Sequence, residues 1–279
     1  MKVSYYPGCA LHGTAIEYNE STKAISRLLG VELCELPDWN CCGASSAHGR
    51  DDALAHNLVA RNLGIAARQG MDVVIPCAAC YGRFKTAERE SGDTVESGRS
   101  RNFLILNLLE FFVSSPLWEK MPALKKRPLT GLKVVCYYGC LLVRPPQIVG
   151  TANPENPDML DRLMTLLGAE SIPWSYKTDC CGGSLALTRK DIVQHLTQKL
   201  CAQAIQAGAE AVVVACPLCQ ANLDTRQEKI SQEPGEKYEL PILYFTELMG
   251  LAFGHPQAPK WLRRHFINPT KLLLTKGLL

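Results

Sequence analysis

The chain has 279 residues, of which 47% are hydrophobic and 20% charged, and a formal net charge of +3. These values are typical of a globular protein with one large or two small domains, and the charge is too small to indicate nucleic-acid binding. No apolar run reaches the roughly 18–20 residues that a membrane helix needs, and no signal-peptide pattern precedes Cys9. We therefore expect a cytoplasmic protein without a membrane span.

The first 95 residues predict a lobe of alternating strands and helices. Thr14 is a candidate N-cap with Glu17 three residues later, and Gly30 marks the end of the same helix. The predicted elements in chain order are a strand at 2–6, helices at 14–29 and 51–69, a strand at 71–76 and a helix that Cys77 opens and that continues to 88.

The rest of the chain predicts a connector, a second lobe and a tail. Residues 96–130 form the connector, with a helix at 103–113 followed by a basic, proline-containing linker. Residues 246–279 form a basic C-terminal tail, and we interpret its part from Lys260 onward as solvated or as a docking segment for a partner subunit. The second lobe, 131–245, repeats the order of the first, with strands at 133–138 and 211–215 and helices at 159–167 and 191–206.

Ten of the thirteen cysteines form two copies of one pattern. In both copies, 34 residues separate a Cys-Cys pair from a Cys-x-x-Cys motif. The repetition predicts two α/β lobes that arose by internal duplication, are related by a pseudo-twofold axis, and each contain a small, mainly parallel sheet. The two sets are Cys9, Cys41, Cys42, Cys77 and Cys80, and then Cys140, Cys180, Cys181, Cys216 and Cys219.

The chemistry of these cysteines favours metal binding. A disulfide framework is typical of small secreted proteins, and this chain is neither small nor expected to be secreted. A structural zinc site takes four ligands, whereas each lobe offers five thiols, which favours an iron–sulfur cluster over zinc. In both lobes the first cysteine and the Cys-x-x-Cys motif follow predicted strands, and ligand sites in parallel α/β sheets lie at that edge.

Several other residues lie near the motifs. His12 and His48 are weak candidates for donating a proton to a leaving thiolate. Trp39 and Trp174 precede the two Cys-Cys pairs and are expected to shield the centres from water. The sequence has no dinucleotide-binding fingerprint and no P-loop, so electrons must come from another polypeptide or a small donor.

Cys9, Cys41-Cys42-Gly43 and Cys77-x-x-Cys80, with their second copy, resemble the duplicated CCG domain found in the family of heterodisulfide reductase B subunits. The resemblance implies that each lobe binds a noncubane [4Fe-4S] cluster through its five cysteines. It further implies that a disulfide or thiol substrate binds between the two clusters, where the disulfide is reduced or reversibly formed. This would be an oxidoreductase activity on a sulfur group, as in CoB-CoM heterodisulfide reductase.

The same resemblance implies partners and leaves alternatives. The partners would be a C-type subunit with iron–sulfur clusters and an A-type subunit that contains flavin. CCG domains also occur in lactate, glycolate and succinate oxidoreductases, where they relay electrons. A structural zinc protein is a third possibility.

Overall fold

The computed structural model describes residues 1–44, 47, 49–91, 102–230 and 238–279. Two parallel four-stranded sheets form its framework, ordered β2-β1-β3-β4 and β6-β5-β7-β8. The identical strand order confirms the predicted α/β fold with two similar lobes. The strands are β1 Lys2–Tyr5, β2 Glu32–Glu35, β3 Val73–Ile75, β4 Ile105–Asn107, β5 Lys133–Tyr137, β6 Glu170–Ser171, β7 Ala211–Val214 and β8 Ile242–Tyr244.

Helices connect the strands and cover the sheets. In the first half of the chain they are α1 Gly8–His12, α2 Ile16–Leu28, α3 Asp52–Gln69, α4 Ala78–Glu90, α5 Leu108–Phe112, α6 Ser115–Trp118 and α7 Met121–Leu124. In the second half they are α8 Pro146–Val149, α9 Met159–Leu167, α10 Lys190–Gln206, α11 Pro217–Thr225, α12 Gln227–Ile230, α13 Phe245–Ala252, α14 Ala258–Leu262 and α15 Thr270–Thr275.

Local sequence explains the central elements. All residues of β3 and β7 are buried, as expected for uninterrupted apolar strands covered on both faces. The Asp51 side chain accepts a hydrogen bond from the Leu54 amide and caps α3, which ends at Gly70 in the left-handed conformation. Among the described helices, none is both long and apolar enough to cross a bilayer.

The helix predicted at 103–113 is wrong in its first part. Residues Ile105–Asn107 form β4, which pairs with β3, and the helix begins only at Leu108. The Asn107 side chain accepts from the Leu109 amide, and Glu110 accepts from the Asn107 amide, so a capping box starts the helix there. The predicted connector thus supplies the fourth strand of the first sheet.

The helix predicted from Thr14 starts two residues later. It begins at Ile16 after Ala15, and no side chain caps it. Gly30 follows its end with φ +75°, in agreement with the predicted stop.

The C-terminal segment is not a solvated tail, so that interpretation is wrong. Every residue of α13 is buried, and so are Trp261 and Leu273 farther on. Helix α13 packs against α2 of the first lobe, where Ser21 Oγ and Thr246 Oγ1 are 2.6 Å apart. The segment therefore belongs to the core and joins the two lobes.

Candidate metal centres

The cysteines of each set lie at the carboxyl edge of their sheet. Cys9 follows β1 in the short helix α1, and Cys140 follows β5. Both Cys-Cys pairs lie in loops after the edge strands β2 and β6. Cys77 and Cys216 are the N-caps of α4 and α11, so each Cys-x-x-Cys motif opens a helix whose amide end favours thiolates.

In the first lobe the five thiols approach one another. The Sγ atoms of Cys42 and Cys80 are 3.1 Å apart. Cys42 is also hydrogen-bonded to Cys41, and Cys77 to Cys80. The hydrogen bond with Cys42 and then burial raise the pKa of Cys41, and the charge of Cys9 adds a smaller increase. The fold therefore gathers residues that are up to 71 positions apart in the sequence.

The second lobe repeats this arrangement. The Sγ atoms of Cys181 and Cys219 are 3.5 Å apart. Cys140 is hydrogen-bonded to Cys180, and Cys216 to Cys219. All ten predicted cysteines thus lie in two compact groups.

The two groups meet at the interface between the lobes. The interaction with the Cys216 thiol raises the pKa of Cys77, and the Ala78 amide of the first lobe interacts with the Cys216 sulfur and lowers the pKa of Cys216 less than Cys219 and Cys77 do. Tyr18, also from the first lobe, donates its hydroxyl to the Ala215 carbonyl over 3.1 Å. The inner cysteine of each group is therefore in contact with the other lobe.

Each group has a buried inner part and an outer part facing solvent. The side chains of Cys9, Cys41 and Cys180 are exposed, and Cys140 is half-buried. The other six cysteines of the two groups are buried, with exposed fractions of 3–8%. A ligand that approaches from solvent would therefore meet the first cysteine of each lobe and the first member of its Cys-Cys pair, Cys41 or Cys180.

Hydrogen bonds between thiols distribute negative charge within each group. The hydrogen bond with Cys41, followed by the hydrogen bond with Cys80, lowers the pKa of Cys42 to about 3. The hydrogen bond from Cys140 lowers the pKa of Cys180 to about 6. Burial opposes ionisation, yet the hydrogen bond from Cys219 and then that from Cys77 hold the pKa of Cys216 well below its usual value. Each lobe can thus hold thiolate ligands at neutral pH.

Two glycines allow the chain to pass close to the sulfurs. Gly8 and Gly139 have φ values of +67° and +68°. A Cβ on Gly8 would lie 3.2 Å from Cys80 Sγ, and one on Gly139 would lie 2.9 Å from Cys219 Sγ. Only glycine suits both the backbone conformation and this approach.

A tyrosine forms the wall of each group. The Tyr6 hydroxyl donates to the Asn40 carbonyl over 2.8 Å, and the Tyr137 hydroxyl to the Asp179 carbonyl over 2.6 Å. Each acceptor directly precedes a Cys-Cys pair. Burial, followed by the neighbouring cysteine charges, holds the pKa of both phenols far above the usual range. Tyr6 therefore corresponds to Tyr137, and both act as neutral hydrogen-bond donors.

The donor set fits an iron–sulfur group better than a single zinc ion. Each lobe collects five thiols, one more than a tetrahedral zinc site takes. Iron–sulfur clusters are held by cysteine thiolates, and a multinuclear group has room for a fifth.

The other candidates take different positions. His12 is exposed, and its Nε2 lies 3.0 Å from Glu35 Oε1. His48 lies outside the described residues. Trp39 contacts the edge of Tyr6 at 5.3 Å between ring centroids, and Trp174 is 6.2 Å from Tyr137. Each tryptophan therefore packs against the tyrosine that borders its cysteine group.

The sequence interpretation missed three residues that support the cysteine-bearing segments of the second lobe. Asn222 donates its side-chain amide to the Cys181 carbonyl. Gln220, directly after Cys219, contacts a buried histidine, His265, from the C-terminal segment. Gln220 and Asn222 follow the Cys-x-x-Cys motif closely on α11, and this position was the one sequence signal available for them. His265 gave no such signal, because it lies 45 residues after Gln220.

The chain matches the family model described as a cysteine-rich domain, CCG, over residues 3–85 and 134–224. It is 32% identical to the 8-methylmenaquinol:fumarate reductase membrane anchor subunit of Wolinella succinogenes, covering 96% of this chain and 98% of that one. It is 28% identical to the B subunit of the ferredoxin:CoB-CoM heterodisulfide reductase of Methanosarcina mazei, covering 91% and 89%.

The fold is also seen in a solved structure. It is a hypothetical protein from Helicobacter pylori, with a TM-score of 0.73 and 13% sequence identity. The alignment covers 96% of this chain and 52% of that one, so the chain spans about half the length of that protein.

Proposed function

The chain belongs to the cysteine-rich CCG domain family, and on this basis we propose that it is the disulfide-reducing subunit of an iron–sulfur oxidoreductase complex. The observation that supports this most is the pair of five-cysteine groups that touch through Cys77 and Cys216. Relatives named as B subunits of heterodisulfide reductases support the same assignment, since they match over about nine-tenths of both chains.

In this proposal each group holds one noncubane [4Fe-4S] cluster. When bound, the clusters would supply one electron each to the two sulfurs of a disulfide, which yields two thiolates. The six buried cysteines keep water from the inner side, while the exposed Cys9, Cys41 and Cys180 leave the outer side open to substrate. His12, exposed beside Glu35, remains the candidate proton donor for a product thiolate.

The proposed partners are an iron–sulfur C-type subunit and a flavin-containing A-type subunit. The chain lacks a nucleotide-binding fingerprint, so electrons would come from a partner polypeptide or a small donor. The relatives named as subunits of multi-subunit reductases support such an assembly.

A second candidate is an electron-transfer subunit of a quinol:fumarate or succinate oxidoreductase. It is favoured by the 32% identity to the Wolinella succinogenes subunit, which extends over nearly the full length of both chains. In that case the two groups would relay electrons, and no disulfide would bind between them.

Anaerobic purification with iron, sulfide and zinc analysis tests the cofactor. Two four-iron clusters require about eight irons and eight acid-labile sulfides per chain. Zinc without iron would refute the proposal.

Electron paramagnetic resonance then separates the two functions. A signal that changes when thiols are added supports disulfide reduction, and iron that does not respond to thiols favours the relay. Cys34→Ser is the matched control, because Cys34 lies outside both groups.

A further inference from the structure

A buried histidine from the C-terminal segment contacts the helix that presents the second Cys-x-x-Cys motif. The side chain of His265 is fully buried, and its Nε2 lies 3.0 and 2.9 Å from the two carboxylate oxygens of Glu247. Its Nδ1 lies 2.9 Å from the side-chain amide of Gln220 and 3.8 Å from Asp224. Gln220 and Asp224 both belong to α11, so this one ring links α11 to α13.

The contacts reach both ends of the motif. Gln220 directly follows Cys219 and accepts a hydrogen bond from the Tyr244 hydroxyl over 3.3 Å. The Tyr244 ring stacks on Tyr18 with centroids 4.1 Å apart, and the Tyr18 hydroxyl bonds the carbonyl of Ala215, directly before Cys216.

The last turn of α11 is held by the same segment. Asp224 accepts hydrogen bonds from the backbone amides of Phe266 and Ile267, over 2.8 and 3.1 Å. Its carboxylate is therefore fixed beside the His265 ring. The C-terminal segment thus contacts α11 at both Gln220 and Asp224.

The carboxylates around the ring oppose the effect of its burial. Burial lowers the pKa of His265, but the charges of Glu247, Asp224 and Glu17 and the Glu247 hydrogen bond outweigh it and raise the pKa to about 9. Removing the ring would leave the buried Glu247 carboxylate without the hydrogen-bond partner that His265 Nε2 provides.

The first lobe has a corresponding contact without a histidine. Tyr81 directly follows Cys80, as Gln220 follows Cys219, and its hydroxyl lies 3.3 Å from Glu110. Glu110 closes the capping box of α5 as Glu247 closes that of α13. The second lobe therefore inserts His265 between two positions that are in direct contact in the first.

We propose that His265 is a positioning residue for the second cysteine group, in that it holds α11 and so fixes Cys216 and Cys219. The effect on a bound cluster rests on the proposed function, whereas the effect on the thiols themselves does not. Loss of His265 should alter the second group and leave the first group unchanged.

Alkylation of the full-length, cluster-free chain under reducing conditions tests the positioning directly. In His265→Gln, Cys216 and Cys219 should react with iodoacetamide about tenfold faster or more, as measured by peptide mass spectrometry, because local opening of α11 becomes easier. Cys42 and Cys80 of the first lobe are the internal reference. His255→Gln is the matched control, since that ring stacks on Trp261 in the same segment instead of contacting α11.

A second variant guards against misfolding. Gln220→Met breaks the link beside Cys219 while leaving the His265–Glu247 pair in place, and it should produce the same selective increase. Rates for Cys216 and Cys219 within about twofold of wild type in a folded His265→Gln chain would overturn the proposal.

Reconstitution with iron and sulfide then addresses the cluster. The paramagnetic signature of the second site should change in His265→Gln, and that of the first site should not. If the wild-type chain binds no iron, the proposed function fails, while the alkylation rates still decide the role of His265. If iron binds and both signatures match wild type, the positioning role toward the cluster is refuted.

Discussion

Replacing Gly139 with alanine should perturb the second cysteine group both through the backbone conformation and through the added Cβ. Gly139 has φ +68°, and the added Cβ would lie 2.9 Å from Cys219 Sγ. The left-handed conformation costs about 1–2 kcal/mol for a residue with a Cβ. Displacing packed atoms costs about 1–3 kcal/mol more. The free energy of unfolding should therefore fall by about 2–5 kcal/mol.

Gly131 provides the matched control. Its φ is +79°, and a Cβ there would meet nothing within 4 Å. Gly131→Ala should therefore lose only the conformational part, about 1–2 kcal/mol. In Gly8→Ala the added Cβ would lie 3.2 Å from Cys80 Sγ. Its loss of unfolding free energy should therefore lie between the losses in Gly139→Ala and Gly131→Ala.

Denaturant unfolding of the cluster-free chain measures these differences. Reconstitution of Gly139→Ala should in addition lower iron content at the second site relative to the first. Equal losses of stability in Gly139→Ala and Gly131→Ala would refute the argument, because the contact with the sulfur would then have no energetic effect.

Three further outcomes are expected. Cys181→Ser should abolish disulfide reduction with an artificial electron donor, and near-normal turnover would favour the electron-relay function; Cys34→Ser should retain activity. Because the folded-state pKa of His265 is raised from 6.5 to about 9, its stabilising contribution is present in full below pH 6.5 and is lost as the pH rises through 9. Unfolding free energies measured from about pH 6.5 to about pH 9.5 should therefore fall in the wild type, and an equal slope in His265→Gln would contradict this. The pure chain should not reduce disulfides with NADH, as a spectrophotometric assay would show, and robust NADH oxidation without partners would count against the proposed dependence on partner subunits.

The sequence alone predicted the elements whose signals are local or periodic. The uninterrupted apolar runs at β3 and β7 indicated buried strands, and the repeated cysteine spacing indicated a duplicated α/β fold. The same spacing selected ten cysteines that the structure places in two groups.

Short apolar segments were harder to interpret. Residues 103–113 could be helix or strand, because a run of this length has no decisive period. Pairing with β3 makes 105–107 a strand, and the capping box then delays the helix to Leu108. The choice depended on a neighbouring strand that is distant in the sequence.

Only the tertiary structure brought Cys77 to Cys216 and His265 to Gln220. The first contact depends on how the two lobes pack, and the second on a basic segment that buries Trp261 and Leu273 in the core. Sequence spacing predicts neither contact. Side chains that are distant in sequence meet only where the burial of apolar surface and the pairing of buried charges together favour one arrangement of the helices.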